Sequence, residues 1–213
     1  MKHCWPLVVI VMASLSLTGC KLESESKVKY SQLMAPLSTI ESILKIEVAA
    51  CKDHEDASKP SNSLKETNDK IAELFPEAEF LECKNIDFDS FALYTIPMTV
   101  GVSDSSKLSK GDIGIITDKK GGAFFALSER LSDFIKKQED LKLSATVRIT
   151  NDTDKTLKIY PISCYVNGFP FAGTPEWELN TDIPVKKSAT IRISDVSADF
   201  AIGAGIVPLY YIK

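Results

Sequence analysis

The chain is poor in histidine, with two in 213 residues, His3 and His54. That scarcity leaves few routes to general-base or imidazole-metal chemistry. No Gly-x-Ser-x-Gly, His-Glu-x-x-His or Cys-x-x-Cys occurs, so the common hydrolase, metalloprotease and thioredoxin signatures are missing. Basic clusters are absent as well. A net charge of −4 gives no electrostatic basis for holding a nucleic acid backbone. The longest apolar run, Trp5 to Leu17, would make a helix of roughly 20 Å, too short for a hydrocarbon core of about 30 Å. Internal repeats are lacking, and ten Gly and ten Pro are scattered. What remains, 44% apolar and 25% charged, is the balance of a folded protein with one ordinary domain or two small ones.

The N-terminus is more informative. Met1-Lys2-His3 is a short basic start, and the apolar run behind it reads as the core of a signal peptide over residues 1–19. Ser16-Leu17-Thr18-Gly19 would serve as the small-x-small end of an ordinary secretory signal. The alternative is more specific: Leu17-Thr18-Gly19-Cys20 resembles the lipobox of bacterial lipoproteins. That resemblance implies a diacylglyceryl group on Cys20, cleavage just before it, and acylation of the new amine with a chain such as palmitate. Each buried methylene is worth about 0.8 kcal/mol, so two or three chains hold where one is marginal. Lys21 stands where an inner-membrane retention signal would carry Asp, which implies the outer membrane facing the periplasm, with the inner membrane as alternative. Losing the leader takes Lys2 and leaves 24 basic against 29 acidic side chains, a net −5.

Residues 20–38 alternate Ser, Glu and Lys and end near Pro36, which reads as a lipid-anchored flexible tether. Two Ser-x-x-Lys matches fall there, Ser24–Lys27 and Ser26–Lys29; in a tether neither serine has a preorganised partner. Residues 39–213 then read as one α+β domain, compact or bilobed, with a candidate subdomain boundary near 103–111 in "SDSSKLSKGD". Leu44, Ile46, Val48 and Ala50 alternate as a strand that ends at Cys51. Ser63-Leu64-Lys65-Glu66 is a capping box ahead of Leu64, Thr67, Ile71, Leu74 and Phe75, with Pro76 as a stop. A short strand over 78–83 and a longer one through Ala92–Val100 complete a strand-helix-strand-strand half. Ile113–Thr117 reads as a further strand, and a small helix starts near Ser128. The rest is mainly antiparallel β: Ala145–Ile149, Leu157–Val166, an Asn167-Gly168 turn into Phe169–Ala172, Ala189–Ile193 and the terminal "IVPLYYI".

Three cysteines remain for a mature protein in an oxidising compartment. Cys51 and Cys83 each end a predicted strand, with one helix between. If those strands lie parallel and adjacent, their ends meet, so we expect a Cys51–Cys83 disulfide. Cys164 lies on the same strand face as Ile162 and Val166, as a buried apolar thiol would. Its functional reading, a nucleophile, would need His54, the only histidine of the mature chain. His54 sits among Asp53, Glu55 and Asp56 in a loop that reads as solvated, so no metal site is assigned. Asn151-Asp152-Thr153-Asp154 lacks the glycine and distal glutamate of a calcium loop. Asp87 and Asp89 flank Phe88 as in many surface turns. Gly203-Ala204-Gly205 is a bare Gly-x-Gly that a flexible turn explains.

The ordered segments "IEVAACKD", "SLKETNDKI", "LFPEAEFLECKN", "FALYTIPMTVG", "ITNDTDK" and "YVNGFPF" resemble a family of uncharacterised lipoproteins of enterobacteria and their prophages. The resemblance implies an accessory envelope gene and brings no catalytic residue. The expectation is a non-enzymatic, lipid-anchored envelope protein that needs no cofactor and binds another envelope protein or stabilises an assembly. Phe169, Phe171 and Trp177, aromatics at turns, form its candidate contact patch, with core packing under a hairpin as the alternative. Two other classes stay open: a prophage-encoded superinfection-exclusion lipoprotein, and a periplasmic hydrolase with an unrecognised site.

Overall fold

A computed structural model describes residues 21–104, 108, 111–138, 141–171 and 180–212. Cys20 and Trp177 lie outside the described residues. Lys21–Lys29, expected to be a tether, is the first strand (β1) and lies inside a sheet. It pairs antiparallel with β2 (Ser38–Val48) on one side and parallel with β7 (Lys142–Thr150) on the other. The physical reason is in its alternation. Leu22, Ser24, Ser26 and Val28 are buried while the charged residues between them face out. Two of the four inward positions are serines, so hydropathy hides the period. A cross-strand bond satisfies one of the two, Ser24. The Ser24 and Ser42 hydroxyls share a hydrogen bond of 3.3 Å, and Ser42 donates to the Glu25 carbonyl at 3.0 Å.

Between β1 and β2 runs a one-turn helix α1 (Tyr30–Leu33), whose Leu33 is fully buried. The chain behind it, at Ala35–Leu37, crosses Gly101. A Cβ there would lie 2.7 Å from the Ala35 carbonyl oxygen, and φ is +129°. Only glycine fits that crossing.

The remaining elements follow in order. Helix α2 (Asn62–Leu74) buries Leu64, Thr67, Ile71 and Leu74, the apolar positions read from the sequence. Its cap is Ser61, not Ser63: the Ser61 hydroxyl accepts from the Leu64 N–H at 3.1 Å. Strands β3 (Glu79–Ile86), β4 (Asp89–Val102), β5 (Ile113–Thr117) and β6 (Ala123–Leu127) come next, then α3 (Glu129–Lys136), which starts next to Ser128 as expected and takes Ser128 as its cap. Arg130 of α3 donates to the Glu73 and Leu74 carbonyls at the end of α2 and ion-pairs with Asp112. It thereby ties three segments together.

After β7 come β8 (Leu157–Pro161), β9 (Cys164–Val166), β10 (Phe169–Phe171), β11 (Thr181–Ile183), β12 (Ser188–Ile193), α4 (Asp195–Ala204) and β13 (Ile206–Ile212). The single strand expected over Leu157–Val166 is broken in two at Ser163, where φ is +44°. The Asn167-Gly168 turn is present, with both residues at positive φ. Gly205 is the left-handed C-cap of α4 rather than a flexible turn.

All strands join one curled sheet in the order β10-β9-β12-β7-β1-β2-β4-β5-β6-β13-β8-β11, with β3 attached to β4. One edge of β4 is filled by β2. The other is shared, β3 taking Asp89–Thr95 and β5 taking Thr99–Val102. Because β4 and β5 pair directly, the chain on both sides of 103–111 belongs to one sheet, and no subdomain boundary falls there. At 51% strand and 20% helix the domain is mostly β, more so than the α+β label implies. Among the described residues, four helices pack on a single large sheet. The core is continuous, from Leu22 and Leu44 through Ile96 and Met98 to Ile191 and Tyr210.

Candidate functional site

The buried alternation of β1, β2, β4, β7 and β12 leaves their other residues on one outward face. A trough of about 420 Å³ opens there. Register sets its layout. Lys27 lies beside Arg148, and Arg148 beside Thr190; one row on, Thr146 lies beside Glu25, Glu25 beside Ile43 and Ile43 beside Thr95. Ser26 and Glu41 complete the lining. Two cations in direct register on neighbouring strands repel each other, so a sheet does not gain from such a pair by itself. Glu25 is engaged by Lys45, and among the described residues no ion pair engages Lys27 or Arg148. Chemically the trough offers hydroxyls, both signs of charge and one apolar side chain, Ile43. That combination suits a polar, extended partner laid across the strands.

The residues singled out from the sequence are placed as follows. Cys51 and Cys83 form a disulfide. Its geometry differs from the expectation in two respects: Cys83 lies within β3 rather than at its end, and although β2 and β3 run in the same direction, β4 lies between them, so the bond reaches across β4 rather than between neighbours. Cys164 is buried at the start of β9, its thiol 3.7 Å from the Leu209 carbonyl, and burial pushes it up to about 11. His54 is exposed in the loop after β2. The carboxylates around it serve the loop itself: Asp53 accepts from the Glu55 and Asp56 N–H groups at 2.9 and 3.1 Å, and Asp56 pairs with Lys59. Cys164 and His54 therefore sit in unlike settings, one in the core and one in solvent. Among the described residues no group of three or more His, Cys, Asp or Glu side chains is placed to hold a metal ion.

The Ser-x-x-Lys matches fall on β1, where positions three apart point to opposite faces. Ser24 and Ser26 are buried while Lys27 and Lys29 face out, so neither serine meets its lysine. Phe169 is 72% exposed at the sheet's β10 edge, whereas Phe171 packs on the core; the expected aromatic patch is thus divided in the part that is described. Asn151, in the turn that lacks the glycine and glutamate of a calcium loop, is fully buried. Its amide donates to the Lys155 and Ile183 carbonyls, both at 2.7 Å, and its oxygen accepts from Thr153. It is a structural knot.

Sequence reasoning missed the trough; it read a surface turn at Asp87–Asp89 but did not single out Phe88, which is wholly exposed at the tip of the β3–β4 hairpin. The trough had a local trace, the Glu25/Lys27 and Thr146/Arg148 alternations, but bringing them together needed the parallel β1–β7 register. Residues 22–213 match the family described as Domain of unknown function (DUF7424), and the match starts one residue after β1 begins. No curated protein and no solved structure matches the chain. Among the described residues no helix is long and apolar enough to cross a membrane.

Proposed function

The chain belongs to the family described as Domain of unknown function (DUF7424), and from that starting point we propose a lipid-anchored cell-envelope protein that holds another envelope protein. The observation that carries the reading is the Cys51–Cys83 disulfide, a bond of oxidising compartments, downstream of a lipobox-like Leu-Thr-Gly-Cys. With Lys21 already in β1, a lipid on Cys20 leaves no spacer, so the sheet would ride directly on the bilayer surface. Lys21 after the cysteine favours the outer membrane, with the domain in the periplasm. The trough is the face offered to the partner, since Lys27 and Arg148 have no ion-pair partner among the described residues and so no evident duty within the sheet.

The test has two parts. Labelled palmitate should enter the wild-type protein and not Cys20→Ser, and the variant should leave the membrane fraction; an unlabelled wild type, or an equally membrane-bound variant, refutes the anchor. A photo-crosslinking residue at Thr146, introduced in intact cells, should capture a discrete partner, and Arg148→Glu should reduce the yield. Equal yield with and without that change would refute the trough as the contact.

A further inference from the structure

The β3–β4 hairpin ends in a side chain for which the fold has no use. Ile86 pairs with Asp89, leaving Asp87 and Phe88 as a two-residue turn with Asp87 at φ +55°. Such turns favour Asn-Gly or Asp-Gly, so turn chemistry does not call for a phenylalanine. The core does not call for it either, since Phe88 is 104% exposed. The tip is nonetheless firmly held. Asn85 accepts from the Ser90 hydroxyl at 2.8 Å, and Cys83, a few residues back, is bonded to Cys51. A wholly exposed aromatic on a braced turn is preorganised for contact with something outside the molecule.

Register says what lies beside it. β1 and β4 each pair antiparallel with β2, so both strands start at the same end of the sheet. Leu22 lies beside Ile46 and Ile46 beside Ala92, which puts Lys21 in the row of Phe91. Phe88 is three residues further out, about 10 Å along the strand direction, and two strand spacings, about 10 Å, to the side. A side-chain contact confirms the proximity: Lys21 Nζ lies 3.3 Å from Asp89 Oδ2. The residue before Lys21 is Cys20. Resting on the lipid-anchor reading, we propose that Phe88 is a second membrane contact, its ring entering the headgroup–acyl boundary of the bilayer that carries the Cys20 lipid and so fixing the tilt of the sheet.

Charge at this end of the sheet argues for zwitterionic phospholipid. Asp87, Asp89, Glu47 and Glu82 are interleaved with Lys21, Lys142 beside it, and Lys84, which lies in the row of Lys21 and pairs with Glu82. Neither sign dominates, as suits headgroups that carry a phosphate and an ammonium. The Lys21–Asp89 contact also offsets one of the two carboxylates that would otherwise hold the tip away from the boundary. A protein pocket could also receive a phenylalanine, but a pocket has no reason to lie beside the anchor, whereas a bilayer must.

The test uses the mature, lipidated full chain in phosphatidylethanolamine–phosphatidylcholine vesicles. Emission from Phe88→Trp, less that of the parent, should be blue-shifted and quenched by phospholipid brominated near the headgroup. Phe80→Trp, on β3 six residues from Ile86, is the control and should show neither effect. Solvent-like emission from Phe88→Trp, or equal quenching at both positions, overturns the proposal. So does a photo-crosslinker at position 88 that captures a protein in cells while bromolipid leaves Phe88→Trp unquenched. Failure of the wild-type protein to float with the vesicles defeats anchor and contact together; flotation without quenching defeats the contact alone.

Discussion

Removing the disulfide with Cys51→Ala and Cys83→Ala together should loosen one strand before it weakens the whole domain. The bond closes a loop of separation 32. A chain-entropy estimate for a loop of that size gives about 3.7 kcal/mol at 25 °C, an upper figure when part of the loop can open by itself. β3 is such a part. Seven of its eight residues are exposed, among the described residues it pairs with β4 alone, and Phe80 packs edge-on to Tyr94 at 5.5 Å. With the sulfurs gone, β3 should open locally while β1, β2 and β7 keep their protection. Two assays read this. In urea the midpoint should fall with the slope nearly unchanged. Hydrogen exchange should accelerate in peptides covering Glu79–Ile86 and not in those covering Lys142–Thr150. An unchanged midpoint together with unchanged β3 exchange would refute the view that the covalent bond, rather than packing, holds this strand.

Three further outcomes follow from the same packing. Leu22→Ala should cost about 2–5 kcal/mol in denaturant unfolding, because Leu22 is buried in an interior strand; Lys27→Ala, on the outer face, should stay within about 0.5 kcal/mol, and equal effects would restore the tether reading. Asn151→Ala should cost about 1–3 kcal/mol, since it takes the buried amide donor from the Ile183 carbonyl, while the Lys155 carbonyl keeps the Thr153 hydroxyl; a thermal midpoint within error of wild type would refute the knot. Stability should fall as pH rises above about 9. Burial raises the Cys164 thiol from 9.0 to about 11 and the Tyr94 hydroxyl from 10.0 to about 12, so the unfolded chain loses these protons first. The stabilisation is complete below the unfolded values and is lost as pH climbs through the folded ones. Urea midpoints at pH 7, 9 and 10.5 check this, and a flat profile refutes it.

The sequence by itself determined the features whose cause is local. The apolar spacing of α2, the caps at Ser128 and the Asn167-Gly168 turn each depend on residues within one or two turns of chain. The Cys51–Cys83 pairing was also legible, because a strand-helix-strand run constrains where its ends fall, although the intervening β4 was not. Helix α4 was missed because it is amphipathic in the wrong sense: Ser197, Ala198 and Ala201 are buried while Val196 and Phe200 are exposed. Only the tertiary structure made β1 a strand. Its inward serines carry no hydrophobic period, and its parallel partner β7 lies more than a hundred residues along the chain. The trough and the place of Phe88 beside the N-terminus follow from that pairing. Each is a matter of register between distant strands, which hydrogen bonds and side-chain packing fix only once the sheet has closed.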